Sequence, residues 1–296
     1  CVEGAPTDSI GEVESYIKLI TVKMDTLADC HLGKFNNIDN IIIKELSAIY
    51  YPIIISINTH YQKSSKTSGL RILGLLKLFS DMMCVGDKDI DWEGSNWKSK
   101  LIESVMKDDL DDLIKTVQNI LKTNKKNFQD SIQNTVAWDK KNREIISKFR
   151  KLKHSLLMGE DNPLDKYLIP GNSIEHIDSQ NTKHKNIDSL FNQYLYQIGS
   201  NKSISDSPYP KKIKAYGDAQ TCIELRAITT GYDNFNIEDN SKTKTFVKVL
   251  NNHFTDKIED FPNFLNDEID KKNDNVFYKY ETEFYDIIIE NIKDII

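Results

Sequence analysis

Glycine and proline are scarce in this chain of 296 residues, which has 12 glycines and 7 prolines. Both residues interrupt regular structure, and all-β architectures need many of them in their turns. Few interruptions in a chain of this length favour long helices. Hydrophobic residues make up 39% of the chain and charged residues 28%, a balance typical of a globular or long-helix protein rather than a disordered one. The sequence therefore predicts an all-α protein.

The chain also lacks an excess of basic residues and a long apolar run. Its formal net charge is -6 and its isoelectric point is near 5.6, which argues against non-specific nucleic-acid binding and against electrostatic docking on anionic lipid. A membrane-spanning helix needs about 18 or more apolar residues in a row. The best candidate stretch, Ile41–Tyr61, contains Lys44, Glu45 and Pro52. We therefore expect no nucleic-acid partner and no integral membrane protein.

Motifs for catalysis or nucleotide binding are missing. The sequence has no HExxH, GxSxG, Walker-A or GxGxxG motif, and no two histidines stand at a metal-binding helical spacing. His176 and His184 share an irregular stretch, residues 160–186, with Glu175 and Asp178, and these four side chains could build a small site. The sequence favours binding over catalysis, with an enzyme whose site lies in the 160–186 loop as an alternative.

The first residue is Cys1, not an initiator methionine. A cleaved secretory signal would explain this start, as would an artificially shortened chain or a lipid-modified bacterial lipoprotein. Secretion predicts an extracellular protein in an oxidising compartment, where cysteines form disulfide bonds. The four candidates are Cys1, Cys30, Cys84 and Cys222, for which three pairings exist. Asn201 begins the only Asn-X-Ser/Thr sequon and is the predicted glycosylation site.

The clearest periodic pattern predicts a helix that starts near residue 10 and stops at Gly33. Apolar residues recur there at alternating spacings of three and four, at Ile10, Val13, Ile17, Ile20, Met24 and Leu27. Such a heptad seam is typical of a helix packed against another long helix. We therefore expect a bundle of long antiparallel helices.

Two later segments, Ile38–His60 and Gly69–Val85, are apolar on most sides. Proline lacks the backbone N–H and clashes with the preceding turn, so Pro52 is expected to kink or split the first segment. Helices that are apolar all round belong in the middle of a core. The alternative is a hairpin that leaves the core and inserts into lipid, as in a membrane-active pore-forming toxin.

Further helices follow from periodicity, and a segment rich in breaking residues divides the chain. The predicted helices are 96–123, 128–158, 187–198, 213–230, 242–259 and 262–296. We place an N-terminal helical bundle at residues 1–159, an irregular connection at 160–186 and a smaller C-terminal helical half, packed on the bundle, at 187–296.

An acidic loop carries the best ligand-like pattern, because alternating carboxylates can converge on a calcium ion. The carboxylates are Asp87, Asp89, Asp91 and Glu93. The EF-hand pattern fails, since Trp92 stands in place of its glycine and Lys98 in place of its bidentate glutamate. We favour a solvated acidic loop, and calcium is the only cofactor that the sequence suggests.

The densest basic cluster lies between residues 140 and 153. Its members are Lys140, Lys141, Arg143, Lys148, Arg150, Lys151 and Lys153. Runs of like charge usually face water, and we interpret the cluster as the solvated face of a helix.

Two segments resemble a known family. The first runs from Leu190 to Tyr196 (LFNQYLY) and the second from Cys222 to Tyr232 (CIELRAITTGY). They resemble an uncharacterised family of secreted arthropod helical proteins, in which a Leu- and Tyr-rich helix precedes a helix with a central glutamate and a terminal Gly-Tyr pair. That family in turn resembles the helical N-terminal region of jellyfish-type toxins. The resemblance implies secretion, an all-helical fold and membrane activity, and it offers no functional residues to carry over.

Taken together, these features predict a secreted, non-enzymatic helical protein that acts by binding a protein or a membrane-surface partner. A pore-forming toxin and an enzyme with its site in the 160–186 loop are the two alternatives.

Overall fold

The structure is a computed structural model that describes most of the chain. The described residues are 10–32, 37–46, 48–84, 96–133, 140–166, 172–179, 185–197, 204, 207–218, 223–231 and 243–296. Within them the fold is all-α, as predicted, with one two-stranded antiparallel sheet and a few short 3₁₀ turns.

The helices and strands follow one another in this order. The first eight helices are α1 (Ile10–Leu32), α2 (Asn37–Glu45), α3 (Tyr51–His60), α4 (Lys63–Met83), α5 (Trp97–Met106), α6 (Leu110–Thr123), α7 (Lys125–Gln133) and α8 (Lys140–Met158). The next elements are α9 (Pro163–Lys166), β1 (Asn172–His176), β2 (Gln193–Gln197), α10 (Tyr209–Asp218) and α11 (Ile223–Thr230). The last four helices are α12 (Lys244–His253), α13 (Phe261–Asp270), α14 (Val276–Glu290) and α15 (Ile292–Ile295).

Two helix breaks have clear local causes. Pro52 lies in the first turn of α3, where a missing N–H costs nothing, and this confirms the predicted split of the segment Ile38–His60. The predicted single helix 96–123 is wrong, because Asp108 adopts a left-handed backbone conformation with φ of 52° and separates α5 from α6. A single left-handed residue cannot continue a right-handed helix.

The predicted helix 187–198 is also wrong. Residues Leu190–Asn192 form a 3₁₀ turn and the chain then continues as strand β2. The partner strand β1 lies inside the stretch expected to be irregular, 160–186, and pairs Asn172 with Gln197 and His176 with Gln193. The first segment of the family resemblance therefore is not a helix here, whereas the second contains helix α11.

The chain divides into two compact units. Unit 1 takes in residues 1–77 and 92–120, and unit 2 takes in residues 78–91 and 121–296. This division differs from the sequence-based one at 160–186, because α8 and both strands belong to the same unit.

The core of unit 1 is built from α3, which packs on α5 and on α1. Ile53, Ile54 and Ile57 of α3 are fully buried, as are Leu101 and Val105 of α5. Ile42 and Ile43 of the segment Ile38–His60 are buried as well, whereas Ile49 is 45% exposed, so the segment faces the core on most but not all sides. Among the described residues, no helix combines the length and the apolar character needed to cross a bilayer.

The core of unit 2 contains a cluster of four aromatic rings. Phe128 stacks on Tyr285 with ring centroids 4.3 Å apart, and Phe79 meets Tyr285 edge-on at 4.8 Å. Phe149 completes the cluster beside Phe128, at 6.0 Å. The Tyr285 hydroxyl donates to the Leu121 carbonyl at 2.9 Å, which satisfies its polar atom inside the core.

Gly231 sits in unit 2 with φ of 81°, and a Cβ at this position would lie 2.6 Å from the Thr255 carbonyl oxygen. We predict that Gly231→Ala lowers the free energy of unfolding by at least about 2 kcal/mol, since a left-handed alanine alone costs roughly 1–2 kcal/mol. The matched control is Gly217→Ala in α10, where a Cβ meets nothing within 4 Å. This change should be neutral or stabilise by up to about 1 kcal/mol. Urea unfolding of both variants measures the difference, and equal effects would contradict the prediction.

Candidate functional site

Many residues that the sequence singles out lie outside the described residues. They are Cys1, Asp87, Asp89, Asp91, Glu93, His184, Asn201 and Cys222. Cys84 is half-buried just after α4, and nothing of the Cys30 side chain is described. Within the described part of the chain, no three His, Cys, Asp or Glu side chains come together as a metal site would require. The calcium site, the disulfide bonds and the glycosylation site stay predictions.

Three of the four candidate acid–base residues of the 160–186 stretch, Glu175, His176 and Asp178, are buried in the structure. Glu175 on β1 accepts a hydrogen bond from Lys212 Nζ at 2.7 Å and from the Tyr216 hydroxyl at 2.8 Å. Lys212 Nζ also donates to the carbonyl of His176 at 2.6 Å. Asp178 follows β1 and is buried as well. Glu175 and Lys212 lie out of reach of water. They form a buried ion pair that connects β1 to α10.

The predicted solvation of the basic cluster is wrong for two of its members on α8. Arg150 and Lys153 are fully buried, whereas Arg143 is exposed. Arg150 and Lys153 occupy the same helix face as the buried Ile146 and Leu157, at spacings of four, three and four. The sequence signal was this heptad face, in which two charged residues stand at core positions.

Two glutamates from distant parts of the chain neutralise these cations. Arg150 Nη1 donates to Glu224 Oε1 at 2.9 Å and to Glu281 Oε1 at 2.6 Å. Lys153 Nζ donates to Glu224 Oε1 at 2.5 Å and to Glu281 Oε2 at 2.9 Å. Each cation therefore bridges both carboxylates, and the formal charges of the four side chains cancel. We call these four residues the buried quartet.

Backbone carbonyls and aromatic rings complete the surroundings of the buried quartet. Arg150 Nε donates to the Gln193 carbonyl at 2.8 Å, and its Nη2 donates to the Leu190 carbonyl at 3.0 Å. The Tyr280 hydroxyl donates to Glu224 Oε1 at 3.1 Å. Lys153 Nζ lies 4.1 Å from the centre of the Tyr280 ring, a cation–π distance. The quartet thus links α8, α11 and α14 to the start of β2.

The protonation of the quartet follows from these contacts. Burial would raise the pKa of Glu281, but Arg150 and Lys153 outweigh burial and hold that pKa below its usual range. Burial lowers the pKa of Lys153, and the two glutamates only partly offset this effect. A lysine with a lowered pKa can act as a nucleophile. Here its Nζ is fully buried against two carboxylates and the three rings of Phe149, Tyr280 and Phe284, so the arrangement suits packing rather than chemistry.

A different kind of site lies on α1 of unit 1. Its predicted heptad seam is partly exposed: Val13 is 43% exposed, Ile17 56% and Met24 61%. With 3.6 residues per turn, these three side chains fall within an arc of about 40° and form one stripe. Among the described residues, four of the seven large apolar side chains that are exposed belong to α1, the fourth being Val22. We call Val13, Ile17 and Met24 the apolar stripe.

The packed face of α1 lies to one side of the apolar stripe. Thr26 is buried there and accepts a hydrogen bond from Asn58 of α3 at 2.5 Å. Ile20 and Leu27, the other seam residues whose side chains are described, are half-buried. The other side of the stripe is exposed and charged, with Glu14, Lys18 and Asp25. The seam is therefore only partly used by contacts within unit 1.

This chain matches no protein-family model, no curated protein and no solved structure.

Removing one charge from the buried quartet should strongly destabilise unit 2. We predict that Glu281→Gln lowers the free energy of unfolding by about 3–5 kcal/mol, because two buried cations then share one carboxylate. The control is Glu283→Gln on the same helix, where the side chain is 40% exposed and pairs with His253 at 2.7 Å. That change should cost less than about 1 kcal/mol. Denaturant unfolding measures both variants. An effect of Glu281→Gln as small as that of Glu283→Gln would show that the buried quartet does not stabilise unit 2.

His176 should make the fold sensitive to acid. Burial, and then the charges of Lys212 and Arg143, lower the pKa of His176 from 6.5 to about 4. Between these two values the unfolded chain binds a proton that the folded chain does not. The free energy of unfolding therefore falls as the pH drops, by about 2 kcal/mol from this group between pH 7.5 and pH 5. Denaturant unfolding at both pH values should show this loss reduced in His176→Gln, and an equal loss in the variant would contradict the assignment.

Proposed function

We propose that this chain is a secreted, non-enzymatic helical protein that binds another protein through the apolar stripe of α1. The observation that carries the proposal is the exposure of Val13, Ile17 and Met24 on one line of a helix. Contiguous exposed apolar surface bordered by polar residues marks interaction sites in soluble proteins.

The chemistry of the stripe fits an amphipathic helix as the partner element. Its apolar positions keep heptad spacing, which is the pattern that helix-on-helix docking requires. The exposed border carries Glu14, Lys18 and Asp25, so its charge alternates along the helix. A partner helix with basic residues opposite Glu14 and Asp25, and an acidic one opposite Lys18, would match this order.

The buried charges favour binding over catalysis. The cations and carboxylates of the buried quartet satisfy one another away from water. The second group, Glu175 with Lys212, is likewise closed to substrate. The exposed apolar side chains on α1 offer contact area for a partner instead.

The proposal is tested by selecting helical peptides from a displayed library on the immobilised protein. The stripe variant carries Ile17→Asp and Met24→Asp together. The control carries Val22→Asp, because Val22 is 41% exposed on the opposite side of α1. We expect the selected peptides to be amphipathic and to bind the stripe variant at least about tenfold more weakly, with the control unchanged. Peptides that bind all three proteins equally would refute the proposal.

Two further readouts distinguish other occupants of the stripe. Sedimentation of the wild type as a dimer, with the stripe variant monomeric, would assign the stripe to a second copy of this chain. Dye release from mixed-lipid vesicles at low protein-to-lipid ratio, abolished in the stripe variant, would assign it to a membrane surface. Either result replaces a protein partner helix as the occupant.

A further inference from the structure

A cavity of about 680 Å³ lies in unit 2 at the C-terminal end of α8. Its walls come from four separate places in the chain: the end of α8, the turn into α9, the start of α12, and α15 with the residues beside it. Ligand pockets of small molecules have volumes of roughly 300–1,000 Å³. The cavity is independent of the apolar stripe, which belongs to unit 1.

One part of the cavity wall is apolar and firmly packed. Leu156, Phe246 and Ile295 line it, and each of these side chains is at most 5% exposed. Pro163 adds a rigid ring at the first position of α9. Because these side chains are already packed, the wall keeps its shape, and an apolar group of a ligand would contact the small accessible part of each.

The polar part of the wall carries acidic charge. Glu160, Asp161 and Asp294 line the cavity, and none of the described residues that line it is a lysine, an arginine or a histidine. The Glu160 carboxylate is held by the Ser155 hydroxyl at 2.8 Å. Neither Glu160 nor Asp294 has a cationic partner within 4 Å among the described residues.

The backbone adds to the same sign of charge. The C-terminal end of a helix carries a partial negative charge from its last carbonyl groups, and α8 is 19 residues long. Gly159 ends this helix in a left-handed conformation with φ of 65°, and the Glu160 N–H donates to the Ser155 carbonyl at 3.0 Å. This helix cap fixes Glu160 at the cavity.

We propose that this cavity binds a small organic cation, an amine that carries an apolar group. Its ammonium would meet Glu160 and Asp294, and its apolar part would contact Leu156, Phe246 and Ile295. A bare metal ion fits less well, because the carboxylates do not converge with a third ligand anywhere in the described chain. An anion would be repelled by the carboxylates of Glu160 and Asp294 and by the negative end of the α8 dipole.

Isothermal titration calorimetry with three molecules of similar shape tests the proposal. The probes are 2-phenylethylamine, which is a cation, 2-phenylethanol, which is neutral, and phenylacetate, which is an anion. We expect the amine to bind with one site per chain and the other two to bind at least about tenfold more weakly. Methylamine, which lacks the apolar part, should also bind at least about tenfold more weakly. Equal binding of all three phenyl probes, or no binding of the amine at millimolar concentration, would overturn the proposal.

A pair of variants places the binding in the cavity. Asp294→Asn removes one carboxylate from the wall and should weaken binding of 2-phenylethylamine by about tenfold. Asp270→Asn, at an exposed aspartate on α13 outside the cavity, is the control and should leave binding unchanged. Asp294 is itself exposed, so both variants should fold normally, which circular dichroism confirms. Equal effects of the two variants, or none from Asp294→Asn, would locate the amine elsewhere and overturn the assignment. Neither result bears on the apolar stripe.

Discussion

Four charged side chains that water does not reach constrain the packing of unit 2. Taking an ion out of water costs several kcal/mol even after relaxation, so Arg150 and Lys153 are tolerated only where Glu224 and Glu281 meet them. Because each cation bridges both carboxylates, rotating either glutamate helix by one residue would leave a buried charge unpaired. The buried quartet therefore raises the free energy of alternative packings of α8, α11 and α14. Apolar contacts alone would discriminate less strongly between these packings and the native one.

The same requirement accounts for the strand in an otherwise helical fold. Arg150 also needs acceptors for its Nε and Nη2 groups, and it finds them in the carbonyls of Gln193 and Leu190. In an α-helix those carbonyls would accept from N–H groups four residues later and would not be open to a side chain. A 3₁₀ turn followed by β2 leaves them open. The LFNQYLY segment has helical spacing of apolar residues, but a partner forty residues earlier decides its conformation.

Local patterns in the sequence predicted those features of the fold that depend on residues close to one another in the chain. The spacing within α1 and the effect of Pro52 in α3 could be read from a few adjacent residues, and the scarcity of glycine and proline was sufficient for the all-α class. The buried quartet could not be found in this way, because its glutamates lie 71 to 131 residues from its cations. The one local hint was the heptad face of Ile146, Arg150, Lys153 and Leu157, where charge stands at core positions.

Buried and exposed charges have opposite consequences in this chain. Inside unit 2 every member of the quartet is paired with another member and buried. These groups therefore stabilise the fold and are not accessible to a ligand. At the cavity, the carboxylates of Glu160 and Asp294 remain accessible to water, which solvates them at little cost. A bound cation would displace this water. Apolar surface on α1 divides in the same way: Ile20 and Leu27 are half-buried, whereas Ile17 and Met24 are exposed. The groups that the fold leaves exposed are the ones to which both proposals assign contacts with other molecules.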